Sequence, residues 1–388
     1  MTDYFIEKIV IDEVRHLKDI EIDLGKERKY LILTGKNGCG KTSVLERLDK
    51  FLSDFFKNNH NITYFDNRKN IDPTINKSLF NKMKQYEECY PIFDKKSFFD
   101  DVNNIDFIYA YFPVNRINET IKPQGINKID LPSHKTSKLN RNFLQFLVNL
   151  KAEKSFANDD GDVESVKKIE KWFNDFENML KKIFDDDSLK LQFDRKEYNF
   201  TIIRDNRVPF DFNTLSSGYS AIIDIISELL LKVEVTKNKS FETQGIVLID
   251  EIETHLHVEL QKNIFELLNL FFPNIQFIVT THSPFILSSI SNTVIYDLET
   301  KTQVENLSGY SYEALVDTYF NVDKYSNELK GKLNRFKELN SKRVDKSISE
   351  VELNEFNKLE IFFEQIPHYK NEELGYILNK IKLQDLGV

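Results

Sequence analysis

Residues Gly35, Lys36, Asn37, Gly38, Cys39, Gly40, Lys41 and Thr42 run G-x-x-x-x-G-K-T without a break. Glycines at these places let successive main-chain N–H groups turn inward around phosphate oxygens, and the N-terminus of a following helix adds a favourable dipole. Lys41 would bring a point charge to the phosphates, and the Thr42 hydroxyl is placed to hold Mg²⁺. The surroundings fit, because an apolar strand segment, Tyr30 to Thr34, leads in and a helical segment opening at Ser43 leads out. Cys39 reads as a small loop residue, not a nucleophile.

Three further segments follow in order. Ile246-Val247-Leu248-Ile249-Asp250-Glu251 sets two carboxylates at the end of four apolar residues. A buried strand of this kind delivers Asp250 beside the Mg²⁺ shell, and Glu251 can polarise a water in line with a γ-phosphate. Leu215-Ser216-Ser217-Gly218-Tyr219-Ser220 precedes an apolar helical stretch, Ala221 to Leu231. Ser216 and Gly218 would turn a hydroxyl and main-chain N–H groups towards an anion, although alone the segment is an ordinary helix cap. Thr280-Thr281-His282-Ser283-Pro284 completes the set, with His282 at a strand end, where it could contact the γ-phosphate and sense its loss. A lone histidine is more often structural; the ordered set favours the functional role.

The elements that must carry these residues follow from periodicity. Residues 4–24 alternate as a hairpin, with Phe5, Ile9 and Ile11 before the turn region Val14 to Lys18 and Ile20, Ile22 and Leu24 after it. A helix to about Phe56 follows the phosphate loop, and residues 57–104, rich in Asn, Lys and aromatics without a period, read as an inserted loop or small helical lobe. Ile105 to Phe112 is a buried-strand candidate; residues 117–140 form a polar connector, about 140–186 a helical insert, and Leu189 to Ile203 a short β-like stretch. Gly245 to Ile249 and Ile275 to Thr280 suit central strands of a parallel sheet, with Thr293 to Tyr296 as a further strand. From about Tyr325 the pattern is helical. Leu329, Leu333, Phe336 and Leu339 share one face, and so do Phe356, Leu359, Phe363 and Ile366. Ser349 and Glu352 form a capping box for the second helix, and Pro367 ends it. The expected division is an ATPase domain over 1–300 and a helical C-terminal region over 301–388.

Composition narrows the classes. With 388 residues, 40% hydrophobic and 30% charged, the chain can bury a sizeable globular core. No apolar run approaches the roughly 18 residues of a membrane-spanning helix. The first residues lack a signal-peptide pattern, and with only Cys39 and Cys89 a structural disulfide is not expected, so the expected compartment is the cytoplasm. A formal charge of −9 argues against a globally basic nucleic-acid-coating protein.

In these motifs the chain resembles ABC-class ATPases of the SMC, RecF and OLD-like group. The resemblance covers residues 4–24, 30–48, 105–116, 211–231 and 245–297. Leu215 to Tyr219 resembles the ABC signature motif, with Ser217 and Tyr219 departing from the commoner Gly and Gln or Glu. Asp250 to His257 resembles the Walker B and D-loop of the OLD-like branch, and Thr281 to Leu287 its switch-histidine segment. A Q-loop glutamine is not evident; Asn115-Arg116 lies nearest its expected place. Arg15, in the hairpin turn, is a weak candidate for contact near the nucleotide.

The resemblance implies an α/β P-loop NTPase head with a mixed sheet, a helical insert and a helical C-terminal tail. It implies ATP and Mg²⁺ as cofactors. Gly35 to Ser43 would hold ATP, Thr42 and Asp250 the metal, and Lys41, Glu251 and His282 would act in hydrolysis. Ser216 and Gly218 of one subunit would cap ATP held by another, giving a head-to-tail homodimer, with higher oligomers open. The layout is similar to stand-alone Septu-type (PtuA-like) ATPases of anti-phage defence, which act with a separately encoded nuclease such as an HNH protein. The alternative is a RecF- or SMC-like DNA-binding repair ATPase, so nucleic acid stays open as a partner, directly or through the nuclease; a membrane does not. A transporter subunit is disfavoured by the OLD-like motifs. A self-sufficient OLD nuclease is disfavoured because residues 298–388 show helical periodicity, not strands ending in paired carboxylates.

Overall fold

The computed structural model describes residues 4–57, 88–93, 105–116, 121–129, 138–315 and 327–365. The chain divides into two compact units, Met1–Tyr312 and Glu313–Val388. Among the described residues no helix is long and apolar enough to cross a membrane.

The first unit opens with β1 (Ile6–Val14) and β2 (Leu17–Asp23), an antiparallel hairpin, then β3 (Tyr30–Thr34) and α1 (Lys41–Lys57). β4 (Cys89–Phe93) and β5 (Phe107–Phe112) follow, and then the helical insert, α2 (Phe143–Asp159) and α3 (Val163–Phe184). A small antiparallel sheet comprises β6 (Lys190–Asp194), β7 (Asn199–Ile203) and β8 (Phe210–Asp211). α4 (Ser217–Glu234), β9 (Gln244–Ile249), α5 (Val258–Phe271), β10 (Ile275–Thr280), α6 (Pro284–Leu287), β11 (Thr293–Asp297) and β12 (Thr302–Glu305) complete it.

The main sheet has six strands in the order β12-β11-β3-β10-β9-β5. All are parallel except β12, which returns antiparallel beside β11. Strands β3, β10 and β11 are buried along their whole length, which is why they read as continuous apolar runs and not as alternating ones. Parallel pairing has a consequence for function. Leu33 is level with Thr280, Ile249 with Val279, and Phe112 with Ile249, so the loops after β3, β10, β9 and β5 leave from the same edge. In open α/β sheets this carboxyl edge is where ligands bind.

The hairpin is tied to that sheet by a buried amide. The Gln276 side chain accepts from Ile6 N at 2.8 Å and donates to Ile6 O at 3.0 Å and Lys29 O at 2.8 Å. Ile9, Ile11, Ile22, Leu31, Leu48 and Phe55 then close one apolar core between hairpin, sheet and α1.

Within the lobe expected at 57–104, residues 58–87 and 94–104 lie outside the described residues. The part that is described holds a strand that periodicity did not reveal. β4 pairs antiparallel with β1 at the edge of its sheet and carries Pro91, a residue that breaks a strand pattern yet is tolerated at an edge. β12 is similar: its residues are mostly exposed, so no apolar signal marks it.

The second unit, described by itself, contains a helical hairpin of α7 (Asn327–Val344) and α8 (Glu350–Glu364). Leu333, Phe336, Leu339, Phe356 and Phe363 make its core, with Phe336 and Phe356 stacked at 4.8 Å. The capping box is present, Ser349 and Glu352 exchanging side-chain-to-backbone bonds. Ile366 and Pro367, assigned to the end of this helix, lie outside the described residues.

Gly245 marks the tightest contact in the central sheet, since a Cβ there would lie 2.6 Å from Ile108 O. Backbone cannot yield as a side-chain tip can, so Gly245→Ala should destabilise the fold by about 1–3 kcal/mol. An unchanged thermal midpoint would show that β5 and β9 have room to part.

Candidate active site

At the end of β3 the phosphate loop curls around its own lysine. Lys41 is buried, and its ammonium donates to Gly35 O at 2.8 Å and Lys36 O at 3.2 Å, with Cys39 Sγ at 3.8 Å. Phosphate oxygens are the acceptors these carbonyls would yield to. Gly40 has φ +103°, and a Cβ on it would lie 2.9 Å from Leu17 Cδ1 and 3.8 Å from His16 Cε1. Only glycine fits there, and the close approach shows that the β1–β2 turn rests on the loop. Arg15, exposed and left-handed in that turn, lies next to His16. Lys36, Asn37 and Gly38 form an exposed rim, with Lys36 bound to Glu299 at 2.7 Å. Thr42 is half-buried and Ser43 buried at the start of α1.

Two strands away, β9 ends in the paired carboxylates. Asp250 is buried, its Oδ1 receiving the Thr280 hydroxyl at 2.5 Å, while its Oδ2 has no hydrogen-bond partner. A carboxylate oxygen buried without a partner is costly, and a cation or its water shell would satisfy it. Among the described residues no cluster of three or more His, Cys, Asp or Glu could hold a metal unaided. That fits Mg²⁺, which takes one or two protein oxygens and completes its shell with water and substrate phosphates. Thr42 and Asp250 are the residues that fit the role.

Glu251 follows in the left-handed region at φ 45°, a conformation that costs a non-glycine residue about 1–3 kcal/mol and needs support from its surroundings. The support is present. Glu251 N donates to Thr280 Oγ1 at 2.7 Å, and its Oε2 accepts from Thr254 Oγ1 at 3.3 Å. Arg116 Nη2 donates to its carbonyl at 2.8 Å, and Arg116 Nη1 to the carbonyl of Asp250 at 2.9 Å.

The loop after β10 supplies the third side of the edge. His282 N donates to Glu253 Oε1 at 2.6 Å, and Ser283 Oγ donates to Gln261 Oε1 at 2.6 Å as it caps α6. Burial, followed by the positive charge of Lys41, holds the His282 imidazole below its ordinary pKa; Glu251 and Asp250 pull the other way. The shift favours the neutral ring, with one N–H and one lone pair. The three charges among these influences, Lys41, Glu251 and Asp250, are thus the ones His282 feels. Glu253 is pushed upward by burial.

Ser216 and Gly218 stand apart from this group. Ser216 caps α4 in extended backbone, is exposed, and makes no side-chain cap bond, so its hydroxyl is not used by its own helix. Gly218 is packed so that a Cβ would lie 2.9 Å from His255 O, in the segment that follows Glu251. Among the described residues no hydrogen bond, ion pair or ring contact joins Ser216 or Gly218 to the phosphate loop. Tyr219, the departure from the family pattern, stacks on Phe184 at 4.2 Å and so joins the signature segment to the end of α3.

Sequence reasoning left the roles of Arg116, Thr280 and Glu253 unassigned. An arginine shortly after a buried strand carries no motif, and a strand-terminal threonine looks like any β-former. A stronger signal was missed in α4. Asp224, Glu228 and Lys232 recur every four residues in an otherwise apolar stretch, and all three are buried.

Residues 100–288 match the AAA_21 family model, described as an AAA domain and linked to the AbiEii toxin of a Type IV TA system. The chain is 24% identical over 358 residues to the Retron Vc95 probable ATPase of Vibrio cholerae, covering 69% of this chain and 68% of that one. It is 39% identical over 101 residues to the Retron Ec83 probable ATPase of Escherichia coli, covering 25% of this chain and 19% of that one. It is 27% identical over 308 residues to the Septu protein PtuA of Bacillus mycoides, covering 74% of this chain and 39% of that one. The chain thus spans two thirds of the first relative and well under half of the other two. A phosphate loop, a strand-end acidic pair and a histidine segment thus lie on one sheet edge of a chain that is similar to retron and Septu ATPases and matches an AAA-domain model over residues 100–288.

Proposed function

We propose that this protein binds and hydrolyses ATP as a head-to-tail dimer, and that the dimer controls a separately encoded nuclease in bacterial anti-phage defence. The observation that carries the dimer is Ser216. Its hydroxyl is exposed at a helix start, unused by its own helix and unconnected to its own phosphate loop. A helix N-terminus with free N–H groups suits a phosphate, and a second copy would present one.

The edge geometry supports a role for each residue. Gly35 to Ser43 bind the triphosphate, and Lys41 exchanges its bonds to Gly35 O and Lys36 O for phosphate oxygens. Mg²⁺ held by Thr42 and Asp250 would neutralise charge on the β- and γ-phosphates. Glu251 accepts a proton from the attacking water. His282, whose ring feels the charge of Lys41, donates towards the γ-phosphate, and loss of that phosphate is relayed through the Glu253–His282 N bond. The partner's Ser216 and Gly218 would then release, since ATP bound between copies stabilises only the closed pair. The nuclease and the defence role rest on likeness to Septu PtuA and the retron ATPases.

Three substitutions test the reading. Lys41→Ala should weaken ATP binding at least about ten-fold by removing a buried phosphate-facing charge; unchanged affinity in equilibrium titration would contradict it. Glu251→Gln should keep ATP affinity and accumulate dimer in excess ATP, seen as doubled mass by light scattering; a monomer would count against the shared site. Ser216→Arg should bind ATP normally yet lose turnover, and full ATPase rate in that variant would exclude donation from a second copy.

A further inference from the structure

Arg116 lies four positions beyond the end of β5 and is buried. Its guanidinium spans two consecutive carbonyls, of Asp250 and Glu251, at 2.9 Å and 2.8 Å. Gripping both carbonyls fixes the direction of the peptide plane between the two carboxylates, and so where the Glu251 side chain starts. A planar fork can do this; an ammonium cannot reach both acceptors with fixed geometry. The left-handed backbone of Glu251 makes the grip consequential, because that conformation relaxes when its supports are removed.

The α4 charges are used elsewhere: Asp224 accepts from the Asn140 side chain, and Glu228 accepts from Leu139 N at 2.6 Å and Asn140 N at 2.8 Å and pairs with Lys232 at 3.3 Å.

We propose that Arg116 is a positioning residue for Glu251. The proposal rests on Glu251 as the water-activating group.

The test uses the full chain with Arg116→Ala and Arg116→Lys, and Glu251→Gln as reference. ATP affinity, kcat and thermal midpoint are measured for each. Arg116→Ala should lower kcat roughly 10- to 100-fold while ATP affinity stays within about three-fold of wild type. Arg116→Lys should stay impaired. Full kcat in Arg116→Ala or Arg116→Lys would overturn the positioning role. Should Arg116→Ala not fold, Arg116→Lys decides the point. Undiminished turnover in Glu251→Gln would instead remove the reading of Glu251 beneath the proposal, a result distinct from loss in Glu251→Gln with none in the arginine variants.

Discussion

The Thr280 hydroxyl at the end of β10 holds the carboxyl edge of the sheet together. It donates to Asp250 Oδ1 and accepts from Glu251 N, while the Thr280 carbonyl accepts from Ile252 N. Because β10 lies between β3 and β9, that one residue sets the height of the acidic pair relative to the strand that leads into the phosphate loop. A bond of this sort has high stakes in a dry interior. Unmade, it would leave a buried carboxylate with neither oxygen satisfied.

Around that point the structure keeps some groups satisfied and leaves others free. Arg116, Thr280 and Thr254 use up the bonding capacity of Glu251's main chain and steady its side chain. Asp250 Oδ2 and Glu253 Oε2 keep theirs, as do Thr34 Oγ1 and Arg116 Nε. Buried polar groups in folded proteins are almost always paired, so the exceptions call for a cause. Asp250 Oδ2 lies at the end of β9, on the sheet edge where a cation or its water shell would satisfy it.

The signature helix shows how folding and function share elements. Most of α4 is buried, which gives it rigidity, and its N-terminus alone faces outward. Tyr219 stacks on Phe184, which joins the start of α4 to the end of the helical insert. The insert is itself a firm body, with Phe143, Trp172 and Phe176 packed ring against ring.

Much of this was legible in the residues. The phosphate loop, the acidic strand, the signature segment and the histidine segment are local patterns, and local backbone geometry demands those residue types. β3, β9 and β10 were visible because a strand buried on both faces must be apolar throughout, and the capping box of α8 because its bonds span three residues. β4 and β12 were not, since an edge strand needs no apolar run. Arg116 and Thr280 were invisible for a different reason: their partners are 134 and 30 positions away. The sequence alone determined which chemistry the chain carries, because that chemistry depends on residue type at short spacing. Only the tertiary structure decided how Glu251 is aimed and which groups are left unpaired, because those depend on strand register between segments far apart in the chain.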